Sequence, residues 1–244
     1  MKAVILCAGQ GRRLLPFTES TPKCLLEISG KHFIEWQIDT LISLGIKKII
    51  AVVGYDALNV QSILNRRYGD NNITTCFNPF YEIADNLASC WMARMHFQDD
   101  FLLLNGDTLF ESKIIEKLLS QGTLPITLAT DEKDEYDEDD MKVITEGTRL
   151  VSVDKKISLD HVTGESIGVM HFNPDGAKLF KESLESAMFS QQALSNWYLS
   201  IIDDLAKQGY VDTCSIHGLD WTEVDFVHDL KNAEALTSKW NSSS

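Results

Sequence analysis

The sequence predicts an α/β fold: a doubly wound, mostly parallel sheet with a mixed, partly antiparallel second half. Two observations lead to this prediction. Up to about residue 130, short apolar runs rich in β-branched residues alternate with amphipathic segments of helical period, and the pattern then changes to closely spaced strand-like runs. The first strand, 2–7 (KAVILC), is almost entirely apolar and stops just before Gly9. A run of this kind is typical of a central parallel strand that is buried on both faces.

The other elements of the first half follow from the same periodicities. Apolar residues recur at helical spacing from Phe33 to Leu44, and Gly45 ends that helix. Further strands are predicted at 47–53, 72–77, 101–105 and 125–130, and further helices at 57–68, 86–96 and 111–120.

After about residue 130 the pattern favours antiparallel strands. These are predicted at 141–147, 149–156 and 166–172, followed by helices at 174–187 and 193–208, a strand at 211–217, the segment 221–226 and a closing helix at 226–239. No linker rich in Pro, Gly or Ser and no internal repeat interrupts the chain. We therefore expect one domain over 1–244.

Composition narrows the class of protein. The chain has 22 basic and 36 acidic residues, a net charge of −14, which disfavours a broad nucleic-acid or anionic membrane surface. Its five cysteines show no C-x-x-C spacing, so a zinc site or a secreted disulfide framework is not indicated. No apolar run reaches transmembrane length and no signal sequence is recognised, so we expect a cytoplasmic protein without membrane insertion.

Acidic residues are concentrated in the segment 131–140 (DEKDEYDEDD), which holds eight carboxylates and one lysine. Blocks of like charge are usually exposed, so this segment is predicted to be a solvated loop. A cation site is the lesser alternative.

A glycine-containing loop follows the first strand. Gly9 and Gly11 begin like the dinucleotide fingerprint G-x-G-x-x-G, but Leu14 replaces the third glycine. Arg12 and Arg13 follow directly, and Lys23 comes ten residues after Arg13. Glycines let backbone N–H groups approach phosphate oxygens, and arginine offers a matching fork of donors. The alternatives are a plain tight turn and solvated arginines.

Two acidic motifs lie further along the chain. Asp107 ends the run Asn105-Gly106-Asp107 directly after a predicted strand, where it should reach the same sheet edge as the glycine loop. In a strand at 221–226, Glu223 and Asp225 would point to one face because side chains alternate. Asp107 and Asp225 together form a plausible two-carboxylate clamp for Mg²⁺. A turn or cap aspartate and a surface strand face are the alternatives.

Residues 3–23 (AVILCAGQGRRLLPFTESTPK) resemble the signature of the sugar-phosphate-type nucleotidyltransferases, with their Rossmann-like fold. The resemblance continues through Gly30-Lys31, VVGY at 52–55, NGD at 105–107 and EVD at 223–225. Three more stretches, 78–89, 140–143 and 165–168, are similar to bacterial cytidylyltransferases that activate phosphocholine and related phosphorylated alcohols or phosphonates. Cys7 and Phe17 depart from the usual alanine and leucine.

This resemblance implies a division of labour, with 1–130 as the nucleotide-binding half and 131–244 as the acceptor-binding half. It implies that Arg13 and Lys23 are catalytic and neutralise the α-phosphate and the departing pyrophosphate. Asp107 and Asp225 would bind Mg²⁺, and Lys142 and Glu165 would face the acceptor. CTP would be held by Leu6, Ala8, Gly9, Gly11, Tyr55, Asn86 and Ser89.

The resemblance thus predicts Mg²⁺-dependent transfer of a cytidylyl group from CTP to phosphocholine, 2-aminoethylphosphonate or a similar acceptor. The alternative enzyme makes a UDP-, dTDP- or GDP-sugar from a sugar 1-phosphate. A dinucleotide-binding oxidoreductase is disfavoured, because Leu14 replaces a glycine and no acid ends the second strand. A non-catalytic nucleotide-binding module is disfavoured by the intact charged residues. The oligomeric state is left open, with a homodimer among the options.

Glu165 suggests a cationic acceptor, because a carboxylate beside a phosphate would otherwise repel it. An ion pair between Glu165 and Lys142 is the competing explanation, and it would permit a neutral polyol phosphate. Aromatic faces attract cations, so four residues are candidates for a cage around a quaternary ammonium: Trp91, Trp197, Tyr198 and Trp221.

Overall fold

The computed structural model describes residues 1–69 and 72–242. Its strands are β1 (Lys2–Cys7), β2 (Glu27–Ile28), β3 (Lys31–His32), β4 (Lys48–Val53), β5 (Ile73–Phe77), β6 (Phe101–Asn105), β7 (Thr108–Phe110), β8 (Ile126–Asp131), β9 (Lys142–Glu146), β10 (Arg149–Asp154), β11 (Gly164–Phe172), β12 (Val211–Ser215) and β13 (Trp221–Glu223). Its α-helices are α1 (Phe33–Ser43), α2 (Ala57–Tyr68), α3 (Asn86–Ala93), α4 (Ser112–Ser120), α5 (Pro174–Ala187), α6 (Leu199–Lys207) and α7 (Val227–Ser242).

One mixed sheet organises this part of the chain, with strand order β5-β4-β1-β6-β11-β8-β12-β10-β9. Strands β5, β4, β1 and β6 are parallel, and β12 is parallel to β8. Strand β11 lies antiparallel between β6 and β8, and β10 is antiparallel to β12 and β9. The predicted α/β fold with a mixed second half is therefore confirmed.

Both faces of the sheet are buried, which explains why β1 is apolar throughout. Val4 and Leu6 face the apolar layer that α3, α5 and α6 cover, whereas Ala3 and Ile5 face the layer under α1, α2 and α4. Successive strand residues point to opposite faces, so a strand covered on both sides must be apolar at every position. A third, smaller cluster joins α7 to α1 and to the segment after the glycine loop.

Local sequence signals account for several helix ends. Helix α5 begins with Pro174 after Asn173, whose Oδ1 accepts a hydrogen bond from the backbone N of Gly176 at 2.9 Å. Helix α1 begins at Phe33 after its N-cap His32, and the Glu35 carboxylate accepts a hydrogen bond from the His32 backbone N at 2.9 Å. These caps fix the ends of helices whose apolar stripes face the sheet.

Three predictions of local structure need correction. The helix predicted at 193–208 begins only at Leu199, after a separate 3₁₀ turn at Ala193–Ser195. The helix predicted at 86–96 ends at Ala93 and continues as a 3₁₀ turn. The segment 221–226, for which a strand is one interpretation, is a strand only over Trp221–Glu223, because its partner β7 is three residues long. Strands β2, β3 and β7 have no counterpart among the strands predicted from the sequence.

The direction of the strands places the functional motifs on one edge of the sheet. The C-terminal ends of β1, β6 and β8 and the N-terminal end of antiparallel β11 meet there. The glycine loop, Asp107, the acidic segment 131–140 and Glu165 all follow or start these strand ends. Within the described residues, no helix combines the length and apolar character needed to cross a bilayer.

Candidate active site

Two adjoining cavities open at this edge, and Asp107 and Asp225 line both of them. The smaller, of about 320 Å³, is lined by the end of β1, the glycine loop, Arg12, Arg13 and Lys23. The larger, of about 580 Å³, is lined by residues of the second half together with Asn86 and Asn105. The two carboxylates therefore mark the junction between a basic compartment and a second one of different character.

The glycine loop is held close to Lys23. Gly11 has φ +81°, and a Cβ there would lie 2.8 Å from the Lys23 Cβ. The Lys23 backbone N donates to the Gln10 carbonyl at 3.2 Å, and the Thr18 hydroxyl donates to the Gly11 carbonyl at 2.7 Å. Only glycine combines this backbone conformation with so close an approach. The loop is thereby fixed with Lys23 at its side.

Asp107, Glu223 and Asp225 form a cluster of carboxylates. One oxygen from each lies within 4.8 Å of the others. Strand β13 pairs with β7, and the Val224 backbone N donates to the Asp107 carbonyl at 3.0 Å, which brings the two acidic motifs together. The Asp107 Oδ1 atom is buried and has no hydrogen-bond partner. Buried carboxylate oxygens are almost always satisfied, so this atom is available to accept a hydrogen bond or to ligate a cation.

Lys23 lies between two of these carboxylates. Its Nζ donates to Asp225 Oδ1 at 2.7 Å and to Asp107 Oδ2 at 3.1 Å. Burial opposes the charged form of Lys23, but the carboxylates of Asp107 and Asp225 outweigh it and raise the lysine pKa. Lys23 therefore stays protonated at neutral pH.

The surroundings of Glu223 favour its neutral form, whereas those of Lys23 favour its charged form. Its side chain is exposed to the cleft, yet the protein around it desolvates the carboxyl group. This desolvation, together with the charges of Asp107 and Asp225, raises the pKa of Glu223. Three carboxylates at such short range repel one another unless a cation or proton intervenes. The cluster is thus chemically suited to a divalent metal.

Arg13 lies at the mouth of the junction and is paired with acids from both halves. Its guanidinium contacts Asp225 and Asp139, each at 3.3 Å. Asp139 belongs to the acidic segment 131–140, and it also pairs with Lys155 at 3.3 Å. This segment is therefore not only a solvated loop: it forms part of the wall of the larger cavity and is ion-paired to the glycine loop.

The larger cavity is strongly acidic. Nine carboxylates line it but only two lysines, Lys133 and Lys155. Two tryptophans, Trp197 and Trp221, also contribute to its wall. Of the other proposed cage residues, Tyr198 is fully buried, and its hydroxyl donates a hydrogen bond to Asn105 Oδ1 at 2.9 Å. Trp91 packs against the core, and the guanidinium of Arg94 covers its ring. The geometry leaves only Trp197 and Trp221 available to a ligand.

Glu165 is a buried carboxylate in this wall, 6% exposed. Burial raises the pKa of Glu165 to about 7, although the nearby Lys133 ammonium partly counteracts the shift. The Lys133 Nζ lies 3.0 Å from Glu165 Oε2. The predicted alternative partner, Lys142, is buried beside it with its Nζ donating to the Lys155 carbonyl at 3.0 Å, so the pairing of Glu165 with Lys142 is wrong.

Of the residues predicted to bind the nucleotide, Leu6, Gly9 and Gly11 line the smaller cavity and Asn86 lines the larger one. Ala8 lies beside them, its carbonyl accepting from the Tyr55 backbone N at 2.9 Å. Tyr55 and Ser89 lie outside both walls. The Tyr55 hydroxyl donates to the Glu19 carbonyl at 2.7 Å, and Ser89 is buried and accepts from Asn78 at 3.0 Å. Their contacts with a nucleotide, and that of Lys142 with an acceptor, stay predictions.

Sequence reasoning missed three residues that shape the site. Asp229 accepts from the backbone N atoms of Asp225 and Phe226 at 3.0 and 2.8 Å, which fixes the turn that carries Asp225. Lys133 and Asp139 hold the acidic segment against the cavity. For Lys133 and Asp139, the signal that could have found them is the single lysine in a run of eight acids. The sequence holds no comparable signal for Asp229.

A glycine loop after the first strand, two cations beside it and a carboxylate cluster between two cavities form a site suited to phosphate groups and a divalent cation. A model of the MobA-like NTP transferase domain family matches residues 3–145, more than half of the chain. The protein belongs to this family and is a nucleotidyltransferase.

Similar proteins extend over nearly the whole chain. The choline-phosphate cytidylyltransferase of Streptococcus pneumoniae is 26% identical over 99% of this chain and 100% of its own. The CTP:phosphoglutamine cytidylyltransferase of Campylobacter jejuni is 24% identical over 95% of this chain and 98% of its own. Among solved structures, the inositol-1-phosphate CTP transferase of T. maritima is similar in fold, with a TM-score of 0.82 and 22% identity. The match covers 98% of this chain and 95% of the other, and it confirms the fold.

Proposed function

We propose that the protein is a Mg²⁺-dependent cytidylyltransferase that joins CTP to a small phosphorylated alcohol or phosphonate bearing a positive charge, with release of pyrophosphate. The observation that carries this proposal is the junction at Asp107 and Asp225. On one side lies a small cavity with a glycine loop and cations, and on the other a larger cavity lined by nine carboxylates.

The proposed chemistry needs charge neutralisation more than a base. A phosphate oxygen of the acceptor attacks the α-phosphorus of CTP, the new P–O bond forms, and the bond to the β-phosphate breaks to release pyrophosphate. A phosphomonoester has a second pKa near 6, so the nucleophile is largely ionised at neutral pH. Arg13 and Lys23 would meet the negative charge of the triphosphate and of the leaving group. Their position beside the glycine loop supports these roles.

The residues present fit a magnesium ion. Asp107, Glu223 and Asp225 offer hard oxygen ligands, and the unpartnered buried oxygen of Asp107 needs a cation. When bound, Mg²⁺ would supply electrostatic stabilisation of the phosphates and help to align them. Lys23 donates hydrogen bonds to two of these carboxylates, Asp107 and Asp225, which would hold its ammonium group next to the phosphates.

The composition of the larger cavity supports a cationic acceptor. A phosphate group alone would be repelled by the surrounding carboxylates, whereas an ammonium group attached to it would be attracted by them. Trp197 and Trp221 add aromatic faces. The named acceptors of the choline-phosphate enzyme and of the CMP-5′-(3-aminopropyl)phosphonate synthase of Streptomyces rubellomurinus carry such groups. The second protein is 30% identical over 48% of this chain and 19% of its own length.

A neutral acceptor is the main alternative. The inositol-1-phosphate CTP transferase shares the fold, and Glu165 is already paired with a lysine, which would lessen the repulsion of a neutral polyol phosphate. Sugar 1-phosphates are a further alternative, because the UTP–glucose-1-phosphate uridylyltransferase of Haloferax volcanii is 32% identical over 47% of this chain and 46% of its own.

A screen of substrates tests the proposal. The four nucleoside triphosphates are each paired with phosphocholine, 2-aminoethylphosphonate, glycerol phosphate, inositol 1-phosphate and glucose 1-phosphate, and pyrophosphate release is measured with Mg²⁺. We expect CTP with a cationic acceptor to give the highest kcat/KM, and CTP alone to be hydrolysed slowly. Highest activity with a sugar 1-phosphate would contradict the proposal.

The variant Glu165→Gln shows how the acceptor charge is recognised. We expect it to lower the ratio of kcat/KM for phosphocholine over glycerol phosphate by about tenfold, since one buried charge is lost. In the wild type this ratio should rise from pH 6 to pH 8 as Glu165, with its pKa of about 7, becomes ionised. In the variant the ratio should stay flat. An unchanged ratio in Glu165→Gln would mean that the charge is recognised elsewhere.

Alanine substitutions at Gly106 and Gly9 should have different effects, the first on stability and the second on CTP binding. A Cβ on Gly106 would lie 2.4 Å from the Leu6 carbonyl oxygen, whereas a Cβ on Gly9 would meet nothing within 4 Å. We expect Gly106→Ala to lower the free energy of unfolding by about 2–3 kcal/mol in urea titrations. Gly9→Ala should keep the wild-type stability but weaken CTP binding, because its methyl group would enter the cavity. Equal stability of the two variants would contradict the described packing.

A further inference from the structure

Glu165 and Trp197, the carboxylate and the indole best suited to bind a cation in the larger cavity, are both already in contact with a lysine. The Lys133 Nζ lies 3.0 Å from Glu165 and 2.7 Å from Asp140. The Lys155 Nζ lies 4.9 Å from the centroid of the Trp197 ring. Both lysines line the cavity themselves. Ammonium groups of the protein thus occupy the places where an ammonium of a ligand would bind.

The two lysines differ in how they are held. Lys155 follows β10 and lies within hydrogen-bond distance of Asp139 at 3.3 Å. Lys133 belongs to the connection between β8 and β9, outside any strand or helix, and its side chain is 35% exposed. Apart from Glu165 and Asp140, it faces the ring of Tyr136 at 5.6 Å. Lys133 is thus the more exposed of the two lysines, 35% against 22% for Lys155, and both of its ion-pair partners belong to the cavity wall.

We propose that Lys133 is a specificity-determining residue: its ammonium occupies the cation subsite formed by Glu165 and Asp140, and the positive group of the acceptor takes its place. This inference rests on the cationic acceptor of the proposed function. It goes further in naming the subsite and the residue that competes for it.

The physical reason is the cost of a buried carboxylate without a partner. Glu165 is 6% exposed, so an empty subsite would leave its charge uncompensated. Lys133 supplies that compensation while no acceptor is bound. A ligand ammonium that also contacts other carboxylates of the cavity wall can take the place of the partly exposed Lys133 ammonium without leaving Glu165 unpaired. A neutral ligand cannot replace the ammonium and leaves Lys133 where it is.

Removal of Lys133 should therefore strengthen the binding of a cation but not of its neutral isostere. The probes are choline chloride and 3,3-dimethyl-1-butanol, which has the same shape without the charge. Binding of each is measured by isothermal titration calorimetry at pH 8.5 and constant ionic strength, without nucleotide. The proteins are the wild type, Lys133→Met, Lys133→Arg and the matched control Lys156→Met. Lys156 is exposed and does not line the cavity.

We expect Lys133→Met to bind choline about five- to tenfold more tightly than the wild type, with the isostere unchanged. Lys133→Arg keeps the competing charge and should bind choline no more tightly than the wild type, as should Lys156→Met. Circular dichroism establishes that each variant is folded. Because Lys133→Arg changes the side chain but keeps its positive charge, it separates the effect of the charge from that of the substitution itself.

Two results would overturn the inference. If folded Lys133→Met binds choline with unchanged or lower affinity, Lys133 does not compete for the subsite. If it also binds the isostere more tightly, the change is one of space and not of charge. The substrate screen separates these failures from that of the proposed function: turnover of phosphocholine by the wild type, together with an unshifted choline affinity, rejects the role of Lys133 alone.

Discussion

Replacing Asp107 with asparagine should lower kcat by about 10³-fold or more while the apparent melting temperature without metal stays nearly unchanged. Asp225→Asn should behave in the same way. In both variants one carboxylate of the cluster Asp107, Glu223 and Asp225 loses its charge, and with it the affinity for a divalent cation. The fold should lose little, because the lost ion pair with Lys23 is offset by relief of the repulsion among the three carboxylates. Steady-state assays of pyrophosphate release and thermal unfolding measure the two effects.

The same variants distinguish metal binding from other roles. A ligand that binds only the folded state stabilises it, by about 2.7 kcal/mol at 100 times its dissociation constant. Mg²⁺ should therefore raise the melting temperature of the wild type but not that of Asp107→Asn. The control is Asp175→Asn, an exposed carboxylate at the start of α5, which should respond like the wild type. Full activity of the wild type in excess EDTA would contradict the metal assignment.

The second large effect is expected for Lys23→Ala. We expect kcat to fall by about 10²–10³-fold, and to fall by a larger factor than KM for the acceptor rises. Lys23 is held at the junction of the cavities by Asp107 and Asp225, at 3.1 and 2.7 Å, where charge develops on the triphosphate as the bond to pyrophosphate breaks. An interaction that is stronger in the transition state than in the ground state appears in kcat.

Lys47→Ala is the matched control, because Lys47 is exposed before β4 and far along the chain from either acidic motif. Its kinetic constants should equal those of the wild type. Lys23→Ala also leaves two carboxylates without their ammonium partner, so its stability should be measured with and without Mg²⁺. Unchanged kcat in a folded Lys23→Ala would show that Lys23 serves only to balance the charge of the carboxylates.

Much of the fold is a consequence of local pattern. The unbroken apolar runs of β1, β4 and β6 require burial on both faces, and helices such as α2 and α5 have the apolar spacing that covers them. A glycine loop after the first strand, with Arg13 and Lys23 close behind it, was also visible in the sequence. These features depend on neighbours within about 20 residues, which periodicity and turn chemistry can describe.

The composition of the site depended on contacts between distant parts of the chain. Pairing of β13 with β7 brings Glu223 and Asp225 to Asp107, and the strand itself ends at Glu223. The partner of Glu165 proved to be Lys133 rather than Lys142, its neighbour in the strand ladder, because the Lys142 ammonium turns towards backbone carbonyls.

The fold class, the glycine loop and the residue types available for catalysis can all be recognised in the sequence. The three-dimensional arrangement was needed to show that the acidic segment 131–140 borders the larger cavity, that Trp197 faces this cavity and that Tyr198 does not. The physical reason is that hydrophobic period and backbone preference act over a few residues. The position of a charged loop is instead set by ion pairs such as Arg13 with Asp139, which join segments far apart in the chain and have no local signature.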